Sequence, residues 1–123
     1  MLIDGNADLN AIEPFETHVE QSGESTVVRL TGELDLNCRR QFEATLQRVA
    51  SVQAGNVVID LSGLTFIDSS GLRMILELES QSRRDGFDLS FIRGQGQVRD
   101  VLELTGVDDA LTKADGNPTT ETA

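Results

Sequence analysis

The chain has 123 residues with 21 acidic and 10 basic side chains, a formal net charge of −11, no Trp or Tyr, one Cys and one His. One domain of this length buries a core without disulfides or metals, no apolar run approaches the ~20 residues that span a bilayer, and the lone Cys38 excludes an internal disulfide and suits a reducing cytoplasm. Scattered cations among twice as many acids speak against nucleic acid and anionic membranes, both of which call for clustered Lys and Arg.

Residues 1–14 are polar without a sustained period and read as a mobile leader; they lack the basic and apolar regions of a secretory signal. Phe15, Thr17 and Val19 alternate with Glu16, His18 and Glu20, the pattern of a half-buried strand. A turn cluster, Gln21 to Glu24, separates it from the β-branched run Thr26 to Thr31, so the two form a hairpin. Gly32 to Asn37 leads into a helix whose apolar positions are Phe42, Leu46, Val49 and Ala50, with Asn37 as its N-cap.

Gly55 ends that helix. Val57, Val58 and Ile59 make a continuous apolar strand, the pattern of one covered on both faces, and Ser62 to Ile67 continue it as a loop. A second helix runs from about Ser69 to Arg84 and stops at Asp85-Gly86. Phe87, Leu89 and Phe91 form a further strand that Ile92 extends. After a Gly94-Gln95-Gly96 loop, Gln97 to Thr105 make a short helix with Val98, Val101, Leu102 and Leu104 apolar and Gly106 as its cap. The domain is expected to span 15–112, with 113–123 a polar disordered tail. This order of elements describes an α/β layer protein with a mixed sheet, parallel after its initial hairpin and packed against helices.

Asp68-Ser69-Ser70-Gly71 is the segment richest in chemistry. Two hydroxyls in the first turn of a helix, beside a carboxylate and before a glycine, can host a phosphate on the open N–H groups of that turn. Helix capping is the commoner use of serine there. Gly71 costs about 1 kcal/mol inside a helix relative to alanine, so something, the sheet or a partner, approaches closely at that point. Glu33 and Asp35 read first as a solvated loop, although a loop beside this helix can form part of a partner surface.

Three separated pieces then coincide with one pattern: Gly32-Glu33-Leu34-Asp35 after a strand, Asp68-Ser69-Ser70-Gly71-Leu72 opening a helix, and Val98 with Leu102-Glu103-Leu104-Thr105-Gly106-Val107 near the end. Over about Phe15 to Leu111 the chain resembles the STAS domain of bacterial anti-sigma factor antagonists. The resemblance implies a cytoplasmic partner-switching circuit. In it the unphosphorylated antagonist binds an anti-sigma factor that is also a serine kinase, and so frees a sigma factor. Phosphorylation by that kinase ends the binding, and a metal-dependent serine phosphatase resets it.

Carried onto this sequence, the phosphoacceptor is Ser69, and the partner-binding residues are Asp68, Ser69, Ser70, Gly71 and Asp35; the antagonist itself needs no cofactor or metal. A phosphate adds a charge of about −1.5 to −2. The helix dipole favours it and Asp68 repels it. The fold is therefore expected to tolerate the modification, with the larger effect falling on a partner packed against that end.

Rival readings are weaker on residues. An enzyme of the serine hydrolase type needs glycine two residues before the nucleophile, where Ile67 stands, and a base, whereas the single His18 lies in the first strand. One Cys and one His make no metal cluster of HExxH or CxxC type. Gly94 and Gly96 lack the third glycine of a dinucleotide loop. Cys38 at a helix start would favour a thiolate and could serve as a redox sensor. A STAS-like scaffold that binds without switching is the remaining alternative.

Overall fold

The computed structural model describes residues 14–51 and 55–114, and within them four strands form one sheet. Strands β1 (Glu16–Ser22) and β2 (Ser25–Leu34) make the expected antiparallel hairpin, turned by Gly23 at φ 63°. A 3-10 turn, Leu36–Cys38, enters helix α1 (Arg39–Ser51). Strand β3 (Asn56–Ile67) then lies parallel to β2, and helix α2 (Ser69–Asp85) follows. Strand β4 (Asp88–Ile92) pairs parallel with β3, and α3 (Gly96–Leu104) and α4 (Val107–Ala110) close the chain. The spatial order is β1-β2-β3-β4.

The alternation of each strand sorts its side chains between two faces. Val28, Leu30, Val57, Ile59, Leu61 and Phe91 share one buried cluster with Phe42 and Val49 of α1, Met74, Ile75 and Leu78 of α2, and Val98 and Leu102 of α3. All the longer helices thus press on one core. Val27, Val58 and Ile92 form a smaller cluster with Ala114, and beside it Arg29 and Asp60 pair across neighbouring strands at 3.6 Å. Double-sided burial of β3 is what its unbroken Val-Val-Ile run called for.

Several local expectations are corrected. The segment Gly32–Leu34 is the end of β2, not a lead-in loop, and Ser62–Ile67 is the second half of β3, not a loop. Both stretches pair with each other through register irregularities. Gly63 makes this possible: a Cβ there would sit 2.8 Å from Thr31 Cγ2 and 3.0 Å from the Leu30 carbonyl. Asn37 does not cap the first helix. It lies inside the 3-10 turn, which Asp35 caps with extended backbone and its carboxylate accepting the Asn37 N–H at 3.0 Å.

At the chain's end, Leu104 is 86% exposed and takes no part in the core. Past the expected boundary at 112, Lys113 bridges Phe91 in parallel and the Ala114 N–H donates to the Phe91 carbonyl at 2.9 Å. Backbone pairing beyond β4 thus runs two residues further. The leader expected over 1–14, apart from Pro14, and the tail from 115 onward lie outside the described residues.

Candidate functional site

Parallel strands β2 and β3 end side by side, with Leu34 opposite Ile67, and each is followed by an aspartate. Asp35 caps the turn into α1. Asp68, extended at φ −112°, caps α2, its carboxylate accepting the Gly71 N–H at 2.9 Å. The Asp68 N–H donates to the Leu34 carbonyl at 3.3 Å, tying the two junctions together. Both carboxylates also act on Cys38, so the capping loops converge at the carboxyl ends of the strands. Open α/β sheets place their sites in that position.

Within this corner the predicted residues have distinct places. Ser69, the first residue of α2, is exposed, whereas Ser70 is half-buried and Gly71 fully buried. A Cβ on Gly71 would stand 2.5 Å from the Leu34 carbonyl oxygen and 2.7 Å from Ile67 Cγ1. The close neighbour that this glycine implied is therefore the sheet. The Leu72 N–H already donates to the Asp68 carbonyl at 2.9 Å. With Gly71 taken by the Asp68 side chain, the Ser69 and Ser70 N–H groups are the first-turn donors that the helix itself cannot satisfy. In the turn that Asp35 caps, Leu36 has 63% of its surface exposed.

Gln97 is a structural partner of this corner that sequence reasoning missed. Its amide oxygen accepts the Ile67 N–H and its amide nitrogen donates to the Ile67 carbonyl, both at 3.0 Å. The side chain thereby imitates a neighbouring strand and holds the last residue before Asp68. A glutamine at a helix start carries no sequence signal for such a clamp.

Cys38 does not have the character of a reactive thiol. It is buried, and its Sγ donates to the Glu33 carbonyl at 3.2 Å and to Asp35 Oδ1 at 3.5 Å. Burial first, and the nearby Asp35 and Asp68 carboxylates as well, push its pKa above the ordinary value, opposite to the thiolate that its helix-start position suggested. His18 lies in edge strand β1, 3.6 Å from Glu16, while Ser69 opens the helix that follows β3. Among the described residues no three His, Cys, Asp or Glu side chains are grouped to hold a metal, and no helix is long and apolar enough to cross a membrane.

A mixed four-stranded sheet with its helices on a shared core, and a doubly capped corner where two parallel strands end, define a STAS-type domain. Residues 17–113 match the family described as Mlab, STAS domain, and the chain belongs to that family. The anti-sigma F factor antagonist of Paenibacillus polymyxa is 32% identical over 85 residues, which are 66% of this chain and 70% of that one. Among solved structures, an anti-sigma factor antagonist from Mycobacterium paratuberculosis superposes with a TM-score of 0.65 at 24% identity, over 80% of this chain and 83% of its own. The antagonist SpoIIAA in its unphosphorylated form gives 0.62 at 24% identity, over 82% and 88%. Its phosphorylated form gives 0.58 at 22% identity, over 82% and 91%.

Proposed function

We propose that this protein is an anti-sigma factor antagonist that works by binding, with Ser69 as its switch. In its unphosphorylated form it docks the α2 corner, built from Asp35, Asp68, Ser69, Ser70 and Gly71, against an anti-sigma factor that is a serine kinase. The sigma factor is thereby released. Phosphorylation of Ser69 ends the complex, and a metal-dependent serine phosphatase restores it in the cytoplasm.

The observation that carries this reading is the contrast between the two serines: Ser69 is open to a kinase at the tip of α2, while Ser70 is half-buried behind it. The site is expected to tolerate the change. The Asp68–Gly71 cap uses neither serine hydroxyl, so a phosphate on Ser69 displaces no donor or acceptor of that bond. A docked partner would instead have to desolvate a dianion, which is costly unless the charge is paired.

The test is affinity capture from the native bacterium with Ser69→Ala and Ser69→Glu baits, bound proteins being identified by mass spectrometry. An ATP-binding anti-sigma kinase recovered on the alanine bait and lost on the glutamate bait supports the switch. A second reading, a STAS binding module that does not switch, draws on the matched family's description, which names Mlab and not an antagonist. It predicts the same partners on both baits and no phosphate on Ser69 in cells.

A further inference from the structure

Arg73 stands one helical turn after Ser69 in α2 and is exposed. Residues four apart on a helix face each other with Cβ atoms about 5–6 Å apart. Long side chains on a helix lean toward its N-terminus, so the Arg73 guanidinium can reach a phosphate on Ser69. In the other direction, the acid that Arg73 would ordinarily meet is Glu77, four residues on. That carboxylate is engaged from the neighbouring helix: Arg39 Nη1 of α1 lies 2.9 Å from Glu77 Oε1. The same contact raises the pKa of Arg39, first through its hydrogen bond to Glu77.

Several arginines have carboxylate partners: Arg83 with Glu79, Arg93 with Glu103 and Asp108, and Arg99 with Glu103. Arg40 and Arg84, like Arg73, have none among the described residues, but only Arg73 stands four residues after Ser69. Among the described residues Arg73 makes no ion pair. Its neighbours at i−4, i−3 and i+3 are Ser69, Ser70 and Leu76, none of them charged.

Resting on the reading of Ser69 as phosphoacceptor, we infer that Arg73 is the intramolecular partner of the Ser69 phosphate, kept available because Arg39 occupies Glu77. An anion N-terminal to a cation at i,i+4 is the favourable order on a helix, and guanidinium matches phosphate with two parallel N–H···O bonds. The consequence is a double change at the docking corner. The surface gains a dianion and loses a free cation in one step, so a partner carboxylate that met Arg73 before the modification no longer can.

The test installs phosphoserine at position 69 of the full chain by genetic code expansion and follows the second ionisation of the phosphate by phosphorus NMR at low ionic strength, where surface pairs are least screened. Replacing Arg73 by Gln (R73Q) should raise that pKa by about 0.2–0.5 unit, the size expected of an exposed i,i+4 pair, while R73K should keep most of the wild-type value. The helix N-terminus and Asp68 act on the phosphate in all variants alike. R39Q, which releases Glu77 to compete for Arg73, should move the pKa in the same direction as R73Q and by less. Identical titrations for R73Q and wild type overturn the pairing, and an unmoved titration in R39Q overturns the part assigned to Glu77. Because the phosphate is placed chemically, this result is independent of which serine a kinase selects. That reading stands or falls separately on mapping the phosphate in protein from cells.

Discussion

The two strand-to-helix junctions of this domain start alike and end differently. Leu34-Asp35 and Ile67-Asp68 each set a buried apolar residue at the end of a parallel strand and an extended aspartate as cap. Three residues past the cap, the first junction has Cys38, whose thiol turns inward to the Glu33 carbonyl, and the chain passes through a 3-10 turn before α1 forms. The second has Gly71. With no side chain to seat, α2 begins directly and presses against Leu34, leaving Ser69 at its exposed tip. One junction spends its third residue on the core, and the other uses the missing side chain to bring a serine-bearing helix end to the surface.

The sharpest way to break this contrast is Gly71→Ala. Its methyl would fall within 2.7 Å of both the Leu34 carbonyl and Ile67, so the substitution should destabilise by about 2–3 kcal/mol through overpacking, read from the urea midpoint. An unchanged midpoint would show that α2 can lift away at no cost. Next comes Gln97→Ala, which strips both backbone groups of Ile67 of their partner. A loss of about 1–2 kcal/mol is expected, with amide exchange at Ile67 accelerated more than in β1.

Removing the caps should be milder and alike at both junctions. Asp35→Ala and Asp68→Ala each forfeit one N-cap bond, worth about 1 kcal/mol. A much larger cost for either would mean that the junctions are less alike than their bonds suggest.

Smallest is a pH effect confined to the first junction. Because the folded state holds the Cys38 proton more tightly than the unfolded chain, the unfolded form loses it first as pH rises. The associated stability is complete below the ordinary thiol value of 9.0 and falls as pH climbs from there through the higher folded value. Cys38→Ala should remove that alkaline decline, which denaturation midpoints measured across this range would report.

The comparison also shows what was legible in the chain. Alternation, apolar runs and stop residues placed all four strands and the three longer helices, and Asp85-Gly86 marked the end of α2 to within a residue. Strand ends were misjudged where a residue's reason is a contact distant in sequence. Ser62-Gly63 has the composition of a loop, yet Gly63 lies in a strand because Thr31 and the Leu30 carbonyl crowd it. Asn37 is the cap expected from residue type; the extended backbone at Asp35, continuing out of β2, makes Asp35 the cap of the 3-10 turn instead.

Of the candidate corner, the serines and the need for a close neighbour at Gly71 could be read from a single segment, whereas the cap, for which serine is the commoner residue there, is Asp68. Its union with Asp35 could not, since that depends on the register of β2 against β3. Gln97, thirty residues away from the backbone it clamps, left no trace in local pattern. Neither did the claim of Arg39 on Glu77, which joins two helices across 38 residues.

The central claim is that phosphorylation of Ser69 decides whether the partner stays bound. The most direct measurement is the affinity of the captured anti-sigma kinase for the unmodified chain and for the chain carrying phosphoserine at position 69, by calorimetry under one set of conditions. The account predicts binding about 100-fold weaker for the phosphorylated form, a coupling of roughly 3 kcal/mol. Equal affinities for the two forms would contradict it.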